Sequence, residues 1–306
     1  MTAVGWQSLD ALVVGADLPD QAEQMLRHLW EKPLGLAQRT FELQGGELPP
    51  VPAAATSGVW TVMERPISAQ WHGDELWLEG LYMRVSAAGA SLIWAQQAAF
   101  PNPEVWMLAL TEAHRAGGWL PLHAAAVAQA GRAVALTGVS GAGKSTALLR
   151  LGALGYDLLA EDRCFWHAPS GQVAGLDRYL RAFEDSLQRF APQHLAAQPE
   201  RDSKGKRLLP LPPAPAAQLC ALLLLGPPQT LTEQRLSSPS HSSRNLSGAE
   251  RVRALWDTTG LPLTHTGRQQ VQRGLERLLP LLFPQTVDRE TALLRVQAAL
   301  ETEAAP

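Results

Sequence analysis

Apolar residues recur every three to four positions in Asp20–Trp30 (DQAEQMLRHLW) and again in Pro103–Ala116 (PEVWMLALTEAHRA), the spacing of a helix with one buried face. The second run stops at Gly117-Gly118, a favourable helix end. Between the two the period shortens to two. Residues 59–62 (VWTV), 75–86 (ELWLEGLYMRVS) and 91–97 (SLIWAQQ) alternate and are punctuated by Gly73-Asp74 and Gly89, which predicts an antiparallel meander. Trp60, Trp71, Trp77 and Trp94 all fall in it, and rings of that size are expected in the core. Residues 45–55 (GGELPPVPAAA) break the pattern as a linker or long loop.

Beyond Gly118 the pattern becomes that of an α/β domain. Strands are predicted at 122–128, Arg132–Thr137, Asp157–Ala160 and 219–225, with a helix over 145–154 between the second and third. Helices are predicted at 248–256, 268–282 and 288–300, and the polar, serine-rich run 237–247 (SSPSHSSRNLS) as a loop. The expected architecture is therefore α/β: an N-terminal β-rich α+β region over residues 1–100, then a phosphate-loop domain with C-terminal helices over 101–306.

A chain of 306 residues can bury a sizeable core. Its net charge of −3 carries no polyelectrolyte signature, so neither nucleic acid nor an anionic membrane is an expected partner. No apolar run approaches the roughly 20 residues needed to cross a bilayer, and the first ten residues lack a basic flank before an apolar stretch. A cytoplasmic protein is expected. Cys164 and Cys220 are too few for a disulfide framework, and the eight histidines show no close pairing of the kind a structural metal site uses.

The segment that names a chemistry starts at Gly138: Gly-Val-Ser-Gly-Ala-Gly-Lys-Ser-Thr fills every fixed position of the phosphate-binding loop pattern. It follows the strand-like RAVALT and precedes the helix-like STALLRLGAL, the setting that pattern requires. Gly138, Ser140, Gly141, Ala142, Gly143, Lys144, Ser145 and Thr146 are the candidate nucleotide contacts. Glycines let the backbone curl round a phosphate, Lys144 offers positive charge and Ser145 a hydroxyl for magnesium. Only Lys32, Lys144, Lys204 and Lys206 are lysines among 26 basic residues, so a lysine retained in the loop points to a need for a compact ammonium.

Two further features are placed to converge on the loop. Glu161 and Asp162 directly follow the strand predicted at Asp157–Ala160, and carboxylates at such a strand end serve magnesium ligation or proton transfer. His123 lies inside LPLHAAAVA, in the strand before the one that feeds the loop, either as a core histidine or as a participant in the site. Arg178, Arg181, Lys204, Lys206 and Arg207 are candidate sources of added positive charge or simply a solvated basic loop.

Residues 120–162 (LPLHAAAVAQAGRAVALTGVSGAGKSTALLRLGALGYDLLAED) resemble the catalytic core of the HPr kinase/phosphorylase family and its smaller HPr-kinase-related relatives, with their phosphoenolpyruvate-carboxykinase type of phosphate loop. The resemblance extends in weaker form to Leu225 and does not cover residues 1–100. It implies an ATP-dependent kinase that passes the γ-phosphate to a hydroxyl of a peptide, protein or small molecule. Lys144 and the loop would hold phosphates, Ser145 and Asp162 magnesium, and His123 with the acidic pair the acceptor's proton. The chain departs from the family in having Glu161-Asp162 where two aspartates are usual. It also has GLDRYLRAFEDS (175–186) where a glutamate-containing signature is expected, which argues against HPr itself as substrate. The kinases encoded beside peptide-modification genes are closer through the GKST ending. Two rivals stay open: a nucleotide-binding regulatory or scaffold module, and an NTPase coupling hydrolysis to motion. Homo-oligomerisation is left open too.

NLSGAER (245–251) looks like the signature loop of ABC-transporter ATPases, but no apolar run ending in Asp-Glu follows it. Ser247 is better read as the N-cap of a helix.

Overall fold

A computed structural model describes residues 4–195, 200–226, 243–288 and 291–302. The chain divides into two compact units, one formed by residues 1–120 with 261–274, the other by 121–260 with 275–306.

The first unit is built on nine strands: β1 (Val4–Leu9), β2 (Ala11–Ala16), β3 (Lys32–Pro33), β4 (Arg39–Gly46), β5 (Thr56–Val62), β6 (Arg65–His72), β7 (Glu75–Leu78), β8 (Leu81–Ser86) and β9 (Gly89–Ala95). They form one sheet in the order β3-β1-β2-β4-β9-β8-β7-β6-β5. The expected meander is its β5–β9 half, antiparallel throughout. Its β5–β6 hairpin closes through Met63 and Glu64, both at positive φ, the mirror-type turn that matches strand twist. β4 shows how the alternation works: Phe41 and Leu43 are buried while Thr40, Glu42 and Gln44 face out. Trp77 and Trp94 are core residues as expected, whereas Trp60 and Trp71 meet edge to face, 4.9 Å apart, in a half-buried position.

Helix α1 (Asp20–Trp30) and helix α2 (Pro103–Ala116) have the bounds the periodicity predicts. The expected domain boundary at residue 100 is displaced, because α2 packs on β5, β6, β8 and β9. Its Glu112 also receives the backbone amides of Leu263 (3.0 Å) and Thr264 (3.2 Å), and Asp74 receives that of Thr266 (2.6 Å). These bonds tie residues 261–274 into the first unit.

A buried polar network lies near the end of α2. Arg39 donates to Asp10 (2.6 Å), to the Ala113 carbonyl (3.0 Å) and lies 3.1 Å from His114 Nδ1, while Ser8 bonds His114 Nε2 at 2.8 Å. Burial, then the Arg39 charge, push the His114 pKa well below its ordinary value, so the imidazole is neutral. Breaking a buried ion pair strands its partner. Arg39→Met is accordingly expected to destabilise the first unit by about 3–5 kcal/mol. Denaturant unfolding followed by tryptophan fluorescence measures it, and a loss under about 1 kcal/mol would mean the pair behaves as a solvated one.

The second unit holds β10 (Trp119–Gln129, whose first residues belong to the other unit), β11 (Arg132–Thr137), helix α3 (Lys144–Ala153), β12 (Asp157–Ala160), β13 (Arg163–His167), β14 (Gln172–Gly175), β15 (Tyr179–Ala182), helix α4 (Glu184–Phe190), β16 (Arg207–Pro210), β17 (Ala217–Leu225) and β18 (Leu282–Val287). Its main sheet runs β11-β10-β13-β14-β17-β18, with β12 on β10 and β11 also paired to β17. β10 and β11 are antiparallel and turn at Ala130-Gly131, both at positive φ; β17 is parallel to β11 and to β18. β15 and β16 form a separate ribbon.

The run 268–282 is not one helix. The helix ends at Leu278, a tight turn spans Leu279–Leu281, and Leu282 starts β18. Pro280 lacks the amide a continuing helix needs, and the β17 edge takes up the apolar residues that follow. Helices also form at Gly248–Thr259 and Ala292–Glu301. Of the predicted loop 237–247, residues 237–242 lie outside the described residues. Among the described residues no helix is long and apolar enough to cross a membrane.

Candidate functional site

The glycine-rich loop joins the end of β11 to the start of α3, and it takes backbone conformations that side chains resist. Gly138, Gly141 and Gly143 have φ of 148°, 80° and 105°. A Cβ on Gly138 would also lie 2.8 Å from the Leu225 carbonyl of neighbouring β17. Ser140 and Gly141 are exposed at the crest, Ala142 is buried beneath it, and Ser145 and Thr146 open α3 half-buried. Positive φ at the glycines and a helix that starts at the lysine are what phosphate cradling requires.

Lys144 folds back over the loop. Its Nζ donates to the Gly138 carbonyl (2.8 Å) and contacts His123 Nε2 at 3.1 Å. An ammonium has only donors, so Nε2 accepts and the imidazole proton sits on Nδ1. That nitrogen is 3.2 Å from Asp162 Oδ1, which gives a chain Lys144–His123–Asp162. Burial lowers the Lys144 pKa, with Asp162 and Glu161 acting against the shift and Lys206 adding to it. A charged phosphate would therefore find an ammonium already stripped of much of its water.

His123 is no core histidine: its side chain is 52 % exposed although its β10 neighbours Leu122 and Ala124 are buried. Strand alternation turns it out of the core. Thr137, at the end of β11, donates to its carbonyl (3.0 Å) and sits 2.9 Å from Thr258 Oγ1, which fixes the backbone that presents the imidazole.

The acidic residues face different partners. Glu161 is buried; its Oε1 accepts the Ser145 hydroxyl (2.6 Å) and its Oε2 accepts Arg181 Nε (2.9 Å) and Nη2 (2.6 Å). Asp162 is more exposed and turns to His123, with Arg181 at 3.9 Å. The neighbour of Ser145 is thus Glu161, where the resemblance paired Ser145 with Asp162, because the longer side chain reaches across to α3. Burial works against the charge on Arg181, but the carboxylates of Glu161, Asp177 and Asp162 together outweigh it and its pKa is raised.

Of the other basic candidates, Lys206 comes close enough to Lys144 to lower its pKa. Arg207 pairs with Glu184 (3.1 Å), and Lys206 lies over the Phe183 ring, 5.2 Å from its centre. Arg178 is exposed, and Lys204 sits in the Asp202 turn. Arg181 is bonded to the acidic pair through Glu161.

Asp177 escaped the sequence reading. Its Oδ2 accepts the backbone amides of Glu161 (2.8 Å), Asp162 (2.8 Å) and Arg163 (2.7 Å), the whole turn between β12 and β13. Gly175 allows this approach, since a Cβ there would lie 1.7 Å from the Leu159 carbonyl. Only that glycine, two residues before an aspartate, hinted at it.

Elsewhere, Cys164 is buried and its thiol pKa pushed up by desolvation, and Cys220 donates to the Ala133 carbonyl. Ser247 caps the helix Gly248–Thr259 reciprocally with Glu250, as expected for a helix start. Among the described residues no group of three or more His, Cys, Asp or Glu gathers as a ready-made metal cage. No protein-family model matches the chain, and no curated protein matches it either.

Proposed function

We propose that the protein is an ATP-dependent kinase of the HPr-kinase-related type that transfers the γ-phosphate to a hydroxyl of a peptide, protein or small molecule. The observation that carries this reading is the half-exposed His123 held between the loop lysine and Asp162. A module that only binds nucleotide has no use for an imidazole there, whereas phosphoryl transfer needs a group to take the acceptor's proton.

Ser145 Oγ and Glu161 Oε1 are hard oxygen donors side by side, the donor type magnesium prefers. Magnesium takes most of its remaining ligands from phosphate and water, so no all-protein cage is needed. Bound there, it would neutralise charge on the phosphates. Lys144 serves the same charge once it leaves the Gly138 carbonyl and His123. Freed of Lys144, His123 Nε2 accepts the acceptor's proton while Asp162 holds Nδ1–H. The acceptor oxygen bonds the γ-phosphorus, the bond to the bridging oxygen breaks, and ADP leaves with that electron pair. Arg181 holds Glu161 in place throughout through its two bonds to Oε2.

Turnover of ATP with serine-containing peptides and small alcohols, with and without magnesium, tests the reading. Magnesium-dependent transfer to a hydroxyl supports it. Substantial hydrolysis with no acceptor would favour a motion-coupled NTPase, and tight binding without turnover a regulatory module. Within it, Glu161→Gln is expected to raise the magnesium concentration for half-activation roughly 10- to 100-fold, the worth of one charged contact. Asp162→Asn is expected to lower transfer by a similar factor while that concentration and metal-free ATP binding hold. Titration calorimetry beside the turnover assay separates the two; identical behaviour of both variants would sink this division of roles.

A further inference from the structure

We infer that Asp177 is a positioning residue that sets the two site carboxylates apart, an inference that rests on the kinase reading above. Three consecutive amides, those of Glu161, Asp162 and Arg163, end on one oxygen of this side chain at 2.8, 2.8 and 2.7 Å. β12 and β13 each pair with β10, so their connecting turn is not closed as a hairpin ladder between them. Its amides are instead gathered by a residue 14 to 16 positions further along.

A neutral acceptor would satisfy those amides equally well as structure. A third carboxylate beside Glu161 and Asp162 adds like charge, and it is accommodated because it faces three N–H dipoles and lies close to Arg163 and Arg181, whose charges it favours. What this arrangement achieves is orientation. With the turn pinned from below, Glu161 goes one way, to Ser145 and Arg181, and Asp162 the other, to His123. Turning the backbone of this segment to exchange the two carboxylates would break its amide bonds to Asp177. The divergence of metal side and proton side therefore depends on a residue that touches neither ATP nor acceptor. Outer partners that orient a working group typically matter 10- to 100-fold.

The test compares Asp177→Ala and Asp177→Asn with the wild-type chain. In Asp177→Ala, kcat is expected to fall roughly 10- to 100-fold and the magnesium concentration for half-activation to rise, with KM for ATP at saturating magnesium within about threefold. Asp177→Asn keeps an oxygen for the amides and is expected to regain at least about tenfold of a hundredfold loss in kcat. Hydrogen exchange at the amides of residues 161–163 should be slow in the wild type and in Asn, and fast in Ala. Should Ala fail to fold, Asp177→Ser, whose oxygen stops short of the amides, takes its place with the same three readings and the same expected losses.

A lower melting temperature with kcat per folded molecule and magnesium requirement unchanged would overturn the inference and leave Asp177 a structural brace. If the wild type transfers phosphate to no hydroxyl, the kinase reading falls instead. Asp177 is then judged on magnesium-dependent ATP binding by calorimetry: weakening in Ala with recovery in Asn upholds positioning, and equal affinity in all three chains ends it.

Discussion

His123→Ala is expected to cut phosphoryl transfer by roughly 10²- to 10⁴-fold, the range for a positioned acid or base, while leaving ATP affinity nearly intact. The imidazole sits with one nitrogen on the loop lysine and the other on Asp162, and half of its side chain meets solvent. Removing an exposed ring opens no cavity, so the melting temperature should hold within a few degrees. Lys144 keeps its bond to the Gly138 carbonyl in the variant and stays beside the loop. Both quantities should be measured on one preparation. A marked loss of thermal stability with unchanged transfer per folded molecule would return His123 to the status of a packing residue.

Lys144→Ala is expected to lower turnover by about 10²- to 10³-fold, comparable with removal of one fixed donor from a charge-stabilising site, and to weaken ATP binding. The fold should survive. Deleting this ammonium relieves the desolvation that lowers its pKa, and its bonds are to a loop carbonyl and a half-exposed ring. Lys144→Arg should not rescue turnover, because a planar fork cannot follow the path of a compact ammonium between Gly138 and His123. Calorimetry for binding and coupled turnover for rate check both variants. Equal affinity and turnover in wild type and alanine variant would remove the phosphate-loop reading.

Where one period ran long enough, the sequence alone placed the elements. Asp20–Trp30, Pro103–Ala116, Arg132–Thr137 and Asp157–Ala160 stand at their expected bounds because stop signals flank each run. β1 and β2 were illegible: the turn between them uses Leu9 at a φ of 52°, with no glycine or asparagine to announce it. β18 hid in a helix-like run because its register is set by β17, distant in sequence. The same limit applies in the site. Gly138 to Thr146, His123, Glu161 and Asp162 were readable from motif and spacing. Which carboxylate faces Ser145 was not, since that depends on how a turn is pinned. Asp177 does the pinning through backbone amides, and amides carry no trace in a list of side chains.

Glu112 also has a consequence in time. A ribosome makes α2 early, yet the amides of Leu263 and Thr264 that this fully buried carboxylate accepts arrive 151 and 152 residues later. In between it synthesises all of β10 to β17. The N-terminal unit therefore cannot finish folding first, as a leading domain ordinarily would. It must wait, its acid bonded within the described residues to Arg115 of its own helix, while residues 121–260 of the second unit emerge inside the interval. A nascent chain stalled before Leu263 carries an incomplete first unit whatever the state of the second, which makes that stretch of translation the one at which a chaperone or a protease has most to decide.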